Sequence, residues 1–261
     1  MRFRDGSLFG DKHPLMLNDQ LSGPSLHFQP LKRLPRTQHL KLIPRRAEVY
    51  FNALLDSFMP ALIRTGLSPN VISTAGCASQ CAAGMLLLDA RFHLAGVLIL
   101  LGGLFDALDG KLARTTLRAS PFGAVYDATM DRIGELAIYA GIGGYFMLHR
   151  MLVLTCLVAC ATAGSLLVSY VRARAEASNV SCKIGILRRS ERILLLGLGS
   201  LLNFRVVSTL PVVRSFMATL HLPKAVILTP LTLALATIAL LAPVTIAQRL
   251  NYVKAQVRVG A

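Results

Sequence analysis

The feature that most constrains this chain is a succession of long stretches almost free of charge. Windows such as 94–105 and 151–171 carry no Lys, Arg, Asp or Glu. A stretch of this kind approaching 20 residues is what a helix needs to cross the roughly 30 Å hydrocarbon core of a bilayer. In lipid the backbone must satisfy its own hydrogen bonds, so these stretches predict helices. Composition agrees: 54% of the 261 residues are hydrophobic and 16% are charged, where a soluble domain carries about 25% charged. The apolar content excludes a disordered chain, and five scattered cysteines do not make a disulfide scaffold. The expected class is an all-α integral membrane protein.

Six spanning helices are predicted, near residues 70–88, 94–114, 124–148, 151–175, 187–204 and 225–247. The last contains Pro230 and Pro243, which neighbouring helices can accommodate. Ahead of them, Tyr50, Phe51, Leu54, Leu55, Phe58, Met59, Leu62 and Ile63 recur in pairs opposite Glu48, Asn52 and Asp56. This two-sided pattern over 48–64 predicts an amphipathic helix lying in the headgroup plane. Gly66 is expected to end it, and Ser68-Pro69 to start the next helix. Residues 1–45, basic and broken by five prolines, read as a flexible cytosolic tail without a cleaved signal peptide. The membrane domain is then 46–261.

Net charge is +15, from 28 basic against 13 acidic residues. With both termini inside, 23 of the 28 Lys and Arg fall in inner segments, leaving Arg91, Arg150, Arg205, Arg214 and Lys224 outside. That asymmetry predicts cytoplasmic termini. The cysteines, including the Cys77/Cys81 and Cys156/Cys160 pairs, read as packing residues at helix interfaces, and His93 and His149 as ordinary interfacial residues.

Within the apolar region Asp106, Asp109, Asp127 and Asp131 fall inside 26 residues. Spacings of three and four place each pair on one helical face, and the short loop 115–122 makes the two helices expected antiparallel neighbours. Four unpaired carboxylates at that depth are expensive and need a cation. An oxygen-only set without His or Cys suits magnesium, manganese or calcium rather than zinc. Two such ions beside a diphosphate would stabilise a displacement at phosphorus. The alternative is a structural ion-pair network with Lys111, Arg114 and Arg132.

The pattern Asp106-x2-Asp109-Gly110-x2-Ala113-Arg114-x8-Gly123-x3-Asp127-x3-Asp131 resembles the signature of the CDP-alcohol phosphatidyltransferases. The six helices and preceding interfacial helix also fit that family. The resemblance implies a two-magnesium site (manganese in its place) that binds CDP-diacylglycerol and releases CMP. It implies that Asp106, Asp109, Asp127 and Asp131 are metal ligands, with Asp131 also the general base. Gly110, Ala113, Arg114, Ser120 and Gly123, with Pro69, Asn70, Val71 and Ile72, would contact or admit the nucleotide. An alcohol needs a carboxylate to take its proton, and an amphiphilic donor needs a site at bilayer depth.

The acceptor is less constrained. Ser169-Tyr170-Val171-Arg172-Ala173-Arg174-Ala175-Glu176, Glu191-Arg192 and Gln248-Arg249 resemble segments of the phosphatidylinositol-phosphate synthase branch. That resemblance puts Arg172, Arg192 and Arg249 on the phosphate of inositol phosphate, with glycerol 3-phosphate as the rival acceptor. It also implies a homodimer in a cell membrane, the bacterial cytoplasmic membrane, with the site facing the cytoplasm. A cation-coupled transporter would bury acids too, but gives no reason for the glycines and Ala113-Arg114. A nucleic-acid partner is not expected, since the basic tail has little aromatic interleaving.

Overall fold

The computed structural model describes residues 45–182, 184–203 and 229–259, all in helices and short connections with no strand among them. Seven helices lie among the described residues: α1 (Arg45–Thr65), α2 (Pro69–Leu88), α3 (Phe92–Thr115), α4 (Pro121–Leu148), α5 (Leu152–Ala177), α6 (Arg189–Leu201) and α7 (Pro230–Val259). Four of them, α2, α3, α5 and α7, are long and apolar enough to cross a membrane. Helix α4 has the length, at 28 residues, but carries Asp127, Asp131, Arg132 and Glu135 between its N-terminus and its middle. The tail, and the outer Arg205, Arg214 and Lys224, lie outside the described residues.

The expected fifth helix is shorter than predicted. Where 187–204 was predicted, α6 has 13 residues, roughly 20 Å at 1.5 Å per residue. Its basic start sets one limit. Gly197, Gly199 and Ser200, poor helix propagators, precede the other. His93 Nδ1 bonds the Leu201 carbonyl at 2.8 Å, tying the end of α6 to the start of α3.

Local signals place the other boundaries. Gly66, at φ +67°, closes α1, since glycine alone enters that region without a Cβ penalty. Ser68-Pro69 and Ser120-Pro121 both supply an extended N-cap followed by proline in the first turn. Ser120 Oγ accepts from Gly123 N at 3.0 Å, whereas Ser68 makes no side-chain cap. Four helix ends turn through a non-glycine residue of positive φ, Ala90, Leu117, Arg150 and Asn179. Each is followed by a backbone bond from the next N–H to the carbonyl five residues back, such as Arg118 N to Ala113 O at 3.0 Å, the pattern of a Schellman ending.

The expectation that α3 and α4 are close neighbours is also corrected. Helix α2 packs between them, and α3 and α4 touch each other little. Small residues allow this. A Cβ on Gly141 would collide with the backbone of Gly84, and one on Gly134 or Gly102 with the side chain of Gln80. The main core then joins α2 to α7 through Ile99, Ile138, Ile142, Leu196, Leu235 and Ile238, all fully buried. A smaller core holds α1 against α2 and α3 through Leu55, Met59, Ile72, Leu108 and Leu112. Lys111 Nζ adds an ion pair to Asp56 at 2.7 Å and a bond to Asn52 O at 3.0 Å. The rest of the apolar face of α1, including Tyr50, Phe51, Leu54 and Phe58, remains exposed. Cys77 and Cys81 are half-buried as expected, but Cys156 and Cys160 are exposed on α5 instead of filling an interface.

Candidate active site

The end of α3 and the start of α4 bring three of the four acids together. Carboxylate oxygens of Asp106, Asp109 and Asp127 all lie within 4.8 Å of one another. Packing against α2 sets this arrangement: Ser73 Oγ donates to Asp109 Oδ2 at 2.5 Å. Asp127 Oδ1 is buried without a partner. A buried carboxylate oxygen costs free energy unless something positive or a donor satisfies it. An all-oxygen set with one such orphan fits a hard divalent cation, by the ligand chemistry of magnesium and manganese. Asp131 stands apart from the trio, in an ion pair with Arg189.

A cleft of about 190 Å³ opens beside these acids. Pro69, Asn70, Gly110, Ala113, Arg114, Ser120 and Gly123 line it with Ser73, Asp109 and Asp127. Seven of the nine residues expected at a nucleotide therefore face one space. Gly123 has a steric reason to be glycine: a Cβ there would sit 3.1 Å from Ser120 Oγ and 3.7 Å from Asn70 Oδ1. Val71 and Ile72 are not brought to the cleft. Successive residues of a helix point 100° apart, so Val71 turns to the exposed surface and Ile72 into the small core.

Three contributors were absent from the sequence reading. Arg118 lines the cleft on the loop that Leu117 bends. Ser73 orients Asp109, and Arg189 Nη1 bonds Asp106 Oδ2 at 2.9 Å as well as Asp131 Oδ2 at 2.6 Å. Ser73 sits four residues after Pro69 on the motif-bearing turn of α2, a helical repeat that could have flagged it. No local signal marks Arg118 or Arg189. Of the bases suggested for neutralising the acids, Lys111 is committed to Asp56 and Arg114 lies in the cleft. Arg132 reaches back to Ala128 O at 3.5 Å.

The three guanidinium groups expected at an acceptor phosphate each already have partners. Arg192, fully buried, makes a bidentate pair with Glu135 at 2.7 and 3.0 Å and bonds Ser169 Oγ at 3.2 Å. Arg249, also buried, donates to Ile184 O at 3.0 Å and to Val168 O. Arg172, half-exposed, pairs with Glu176 one turn on at 2.9 Å. Arg172, Arg188 and Arg192 nevertheless lie near Arg249, so this end of the bundle is strongly basic. Glu191, beside Arg192, caps α6 by accepting from Arg188 N at 2.5 Å.

Clustered carboxylates beside a cleft, at the ends of helices of which α2 and α3 are long and apolar enough to cross a membrane, define a membrane protein with a candidate metal site next to a binding space. The chain belongs to the CDP-alcohol phosphatidyltransferase family, whose family model matches residues 67–247. It is thus an enzyme of phospholipid biosynthesis, a phosphotransferase that releases CMP. Among similar proteins is the phosphatidylinositol phosphate synthase of Mycobacterium tuberculosis (strain ATCC 25618 / H37Rv). It is 33% identical over 162 residues, which cover 60% of this chain and 74% of that protein. The archaetidylinositol phosphate synthase of Methanothermobacter thermautotrophicus is 36% identical over 159 residues, 60% of this chain and 78% of that one. The crystal structure of the M. tuberculosis synthase with CDP-DAG bound matches with a TM-score of 0.62 at 27% identity, over 77% of this chain and 94% of that chain. The same synthase in complex with manganese and citrate matches at 0.61 and 28%, over 76% and 88%.

Proposed function

We propose that this enzyme transfers the phosphatidyl group of CDP-diacylglycerol to a hydroxyl of a phosphorylated polyol, inositol phosphate, and releases CMP. The observation that carries the reading is the meeting of Asp106, Asp109 and Asp127 at the wall of the cleft that Asn70, Arg114 and Ser120 line. Similarity to two inositol-phosphate-type synthases supports the acceptor.

In this reading the four aspartates hold two magnesium ions, with manganese able to replace them. When bound, the ions neutralise the diphosphate and the departing CMP. Asn70, Arg114, Arg118 and Ser120 bind and orient the cytidine diphosphate, while Gly110, Ala113 and Gly123 leave it room against the helices. Asp131 accepts the proton of the attacking hydroxyl as the new P–O bond forms and the bond to CMP breaks. Arg172, the most exposed of the three acceptor arginines, contacts the acceptor phosphate. Arg192 and Arg249, held by Glu135 and by backbone carbonyls, add positive charge at the same end of the bundle. Six spans, an interfacial α1, a tail at 1–45, cytoplasmic termini and a cytoplasm-facing site complete the reading. The distribution of Lys and Arg supports the orientation, and family likeness supports pairing of protomers in the bilayer.

An acceptor screen tests it. The purified enzyme with labelled CDP-diacylglycerol and magnesium should release CMP fastest with inositol phosphate, more slowly with glycerol 3-phosphate, and negligibly with inositol or serine. Asp131→Asn should bind CDP-diacylglycerol yet lose about 10²–10⁴-fold in transfer, the range for a general base. Preferential use of glycerol 3-phosphate overturns the acceptor. Near-normal turnover by Asp131→Asn overturns the base.

A further inference from the structure

The four aspartates divide into two sets. Asp106, Asp109 and Asp127 present oxygens to one another across open space, whereas Asp131 faces a guanidinium. One nitrogen, Arg189 Nη1, donates to both Asp106 Oδ2 and Asp131 Oδ2. Arg189 extends from the first turn of α6. Its side chain is mostly buried, and its Nε is buried without a partner, so these two ion pairs alone aim it. One turn further on, Arg192 is locked to Glu135 of α4. That pair fixes the start of α6 beside the carboxylates and leaves Arg189 as the part that can move. An arginine tip swings by side-chain rotation alone, with no change in the helix.

We infer that Arg189 is a resident counter-cation of the site: one divalent ion can enter among Asp106, Asp109 and Asp127, but a second engages Asp131 only by displacing the Arg189 guanidinium. This rests on the two-ion reading above. Arg189 and a metal ion compete for the same carboxylate oxygens, and their like charges repel strongly in a partly buried site. The exchange also makes physical sense of where the arginine sits. Without it, the fourth carboxylate would be left with only the weaker influence of Arg132 whenever the site is empty of cations. With it, Asp131 is held as an ion-pair acceptor until the second cation arrives, so the base is released from the guanidinium only in the loaded site. Arg189 is in this sense a positioning residue that acts through Asp131.

Manganese binding to the full-length protein in lipid nanodiscs, without CDP-diacylglycerol, is the test. Calorimetry and the EPR signal of free Mn2+ would give affinity and stoichiometry for the parent, Arg189→Gln and Arg189→Lys. The parent should bind two classes of ion. In Arg189→Gln the weaker class should tighten at least tenfold, while the tighter class moves less than threefold. Arg189→Lys, which keeps the charge, should keep the weaker class weak. Should Arg189→Gln fail to fold, the parent alone still decides: on saturation with Mg2+, the buried Arg189 Nε–H proton should exchange with solvent faster by NMR as the guanidinium leaves both carboxylates. Two classes that are unchanged in Arg189→Gln, or Arg189 Nε–H exchange unaffected by Mg2+, overturn the counter-cation role and leave the two-ion reading standing. Absence of Mn2+ binding in all three proteins overturns the two-ion reading itself, and this inference with it.

Discussion

Removing Glu135 should cost far more stability than catalytic specificity. The Arg192 and Glu135 side chains are 1% and 3% exposed, and Nε and Nη2 of the arginine meet the two carboxylate oxygens at 2.7 and 3.0 Å. Each is a charge-assisted hydrogen bond of about 1.5–3 kcal/mol. Deleting one partner also strands the other charge in a buried setting, and such losses measure about 3–5 kcal/mol in total. For a domain of this size 1 kcal/mol moves the midpoint about 2–4 °C, so Glu135→Leu or Arg192→Leu should lower it by roughly 6–20 °C. The double replacement should recover much of this, because well-packed apolar pairs often replace buried ion pairs without loss. Thermal unfolding in detergent, followed by tryptophan-free methods such as circular dichroism since the chain has no Trp, would read the cycle. Single variants that unfold within 2 °C of the parent, yet show a raised KM for the acceptor alone, would refute the argument. They would put Arg192 on substrate instead.

Two further outcomes are expected. Ser73→Ala removes the donor to Asp109 and should weaken Mn2+ binding about fivefold by titration, since a hydrogen bond contributes about 1 kcal/mol and 1.4 kcal/mol is a factor of ten. Leu117→Gly should raise thermal stability by about 1 kcal/mol in the same unfolding assay, because Leu117 is exposed at φ +55° and glycine has no Cβ penalty there.

Several features were legible in the amino-acid sequence because local physics controls them. Charge-free runs of membrane length announced helices. Gly66 and Ser68-Pro69 marked one end and one start to within a residue or so, since caps depend on neighbouring backbone alone. The aspartate spacing announced an acidic cluster, because a helix repeats every 3.6 residues and turns spacing into direction. What only the tertiary structure decided is who meets whom across helices. Glycines at 84, 134 and 141 let α2 slip between α3 and α4, an outcome of side-chain volume that no single helix reveals. Buried guanidinium groups must be paired wherever they land. Thus Arg192, which the resemblance put on an acceptor phosphate, went to Glu135, 57 residues away in sequence, and Arg189, which no local signal marked, to Asp106 and Asp131. Local rules set the elements and the chemistry available to them. The distribution of charge among partners was settled by packing, because desolvation prices each ion by its final surroundings and not by its place in the chain.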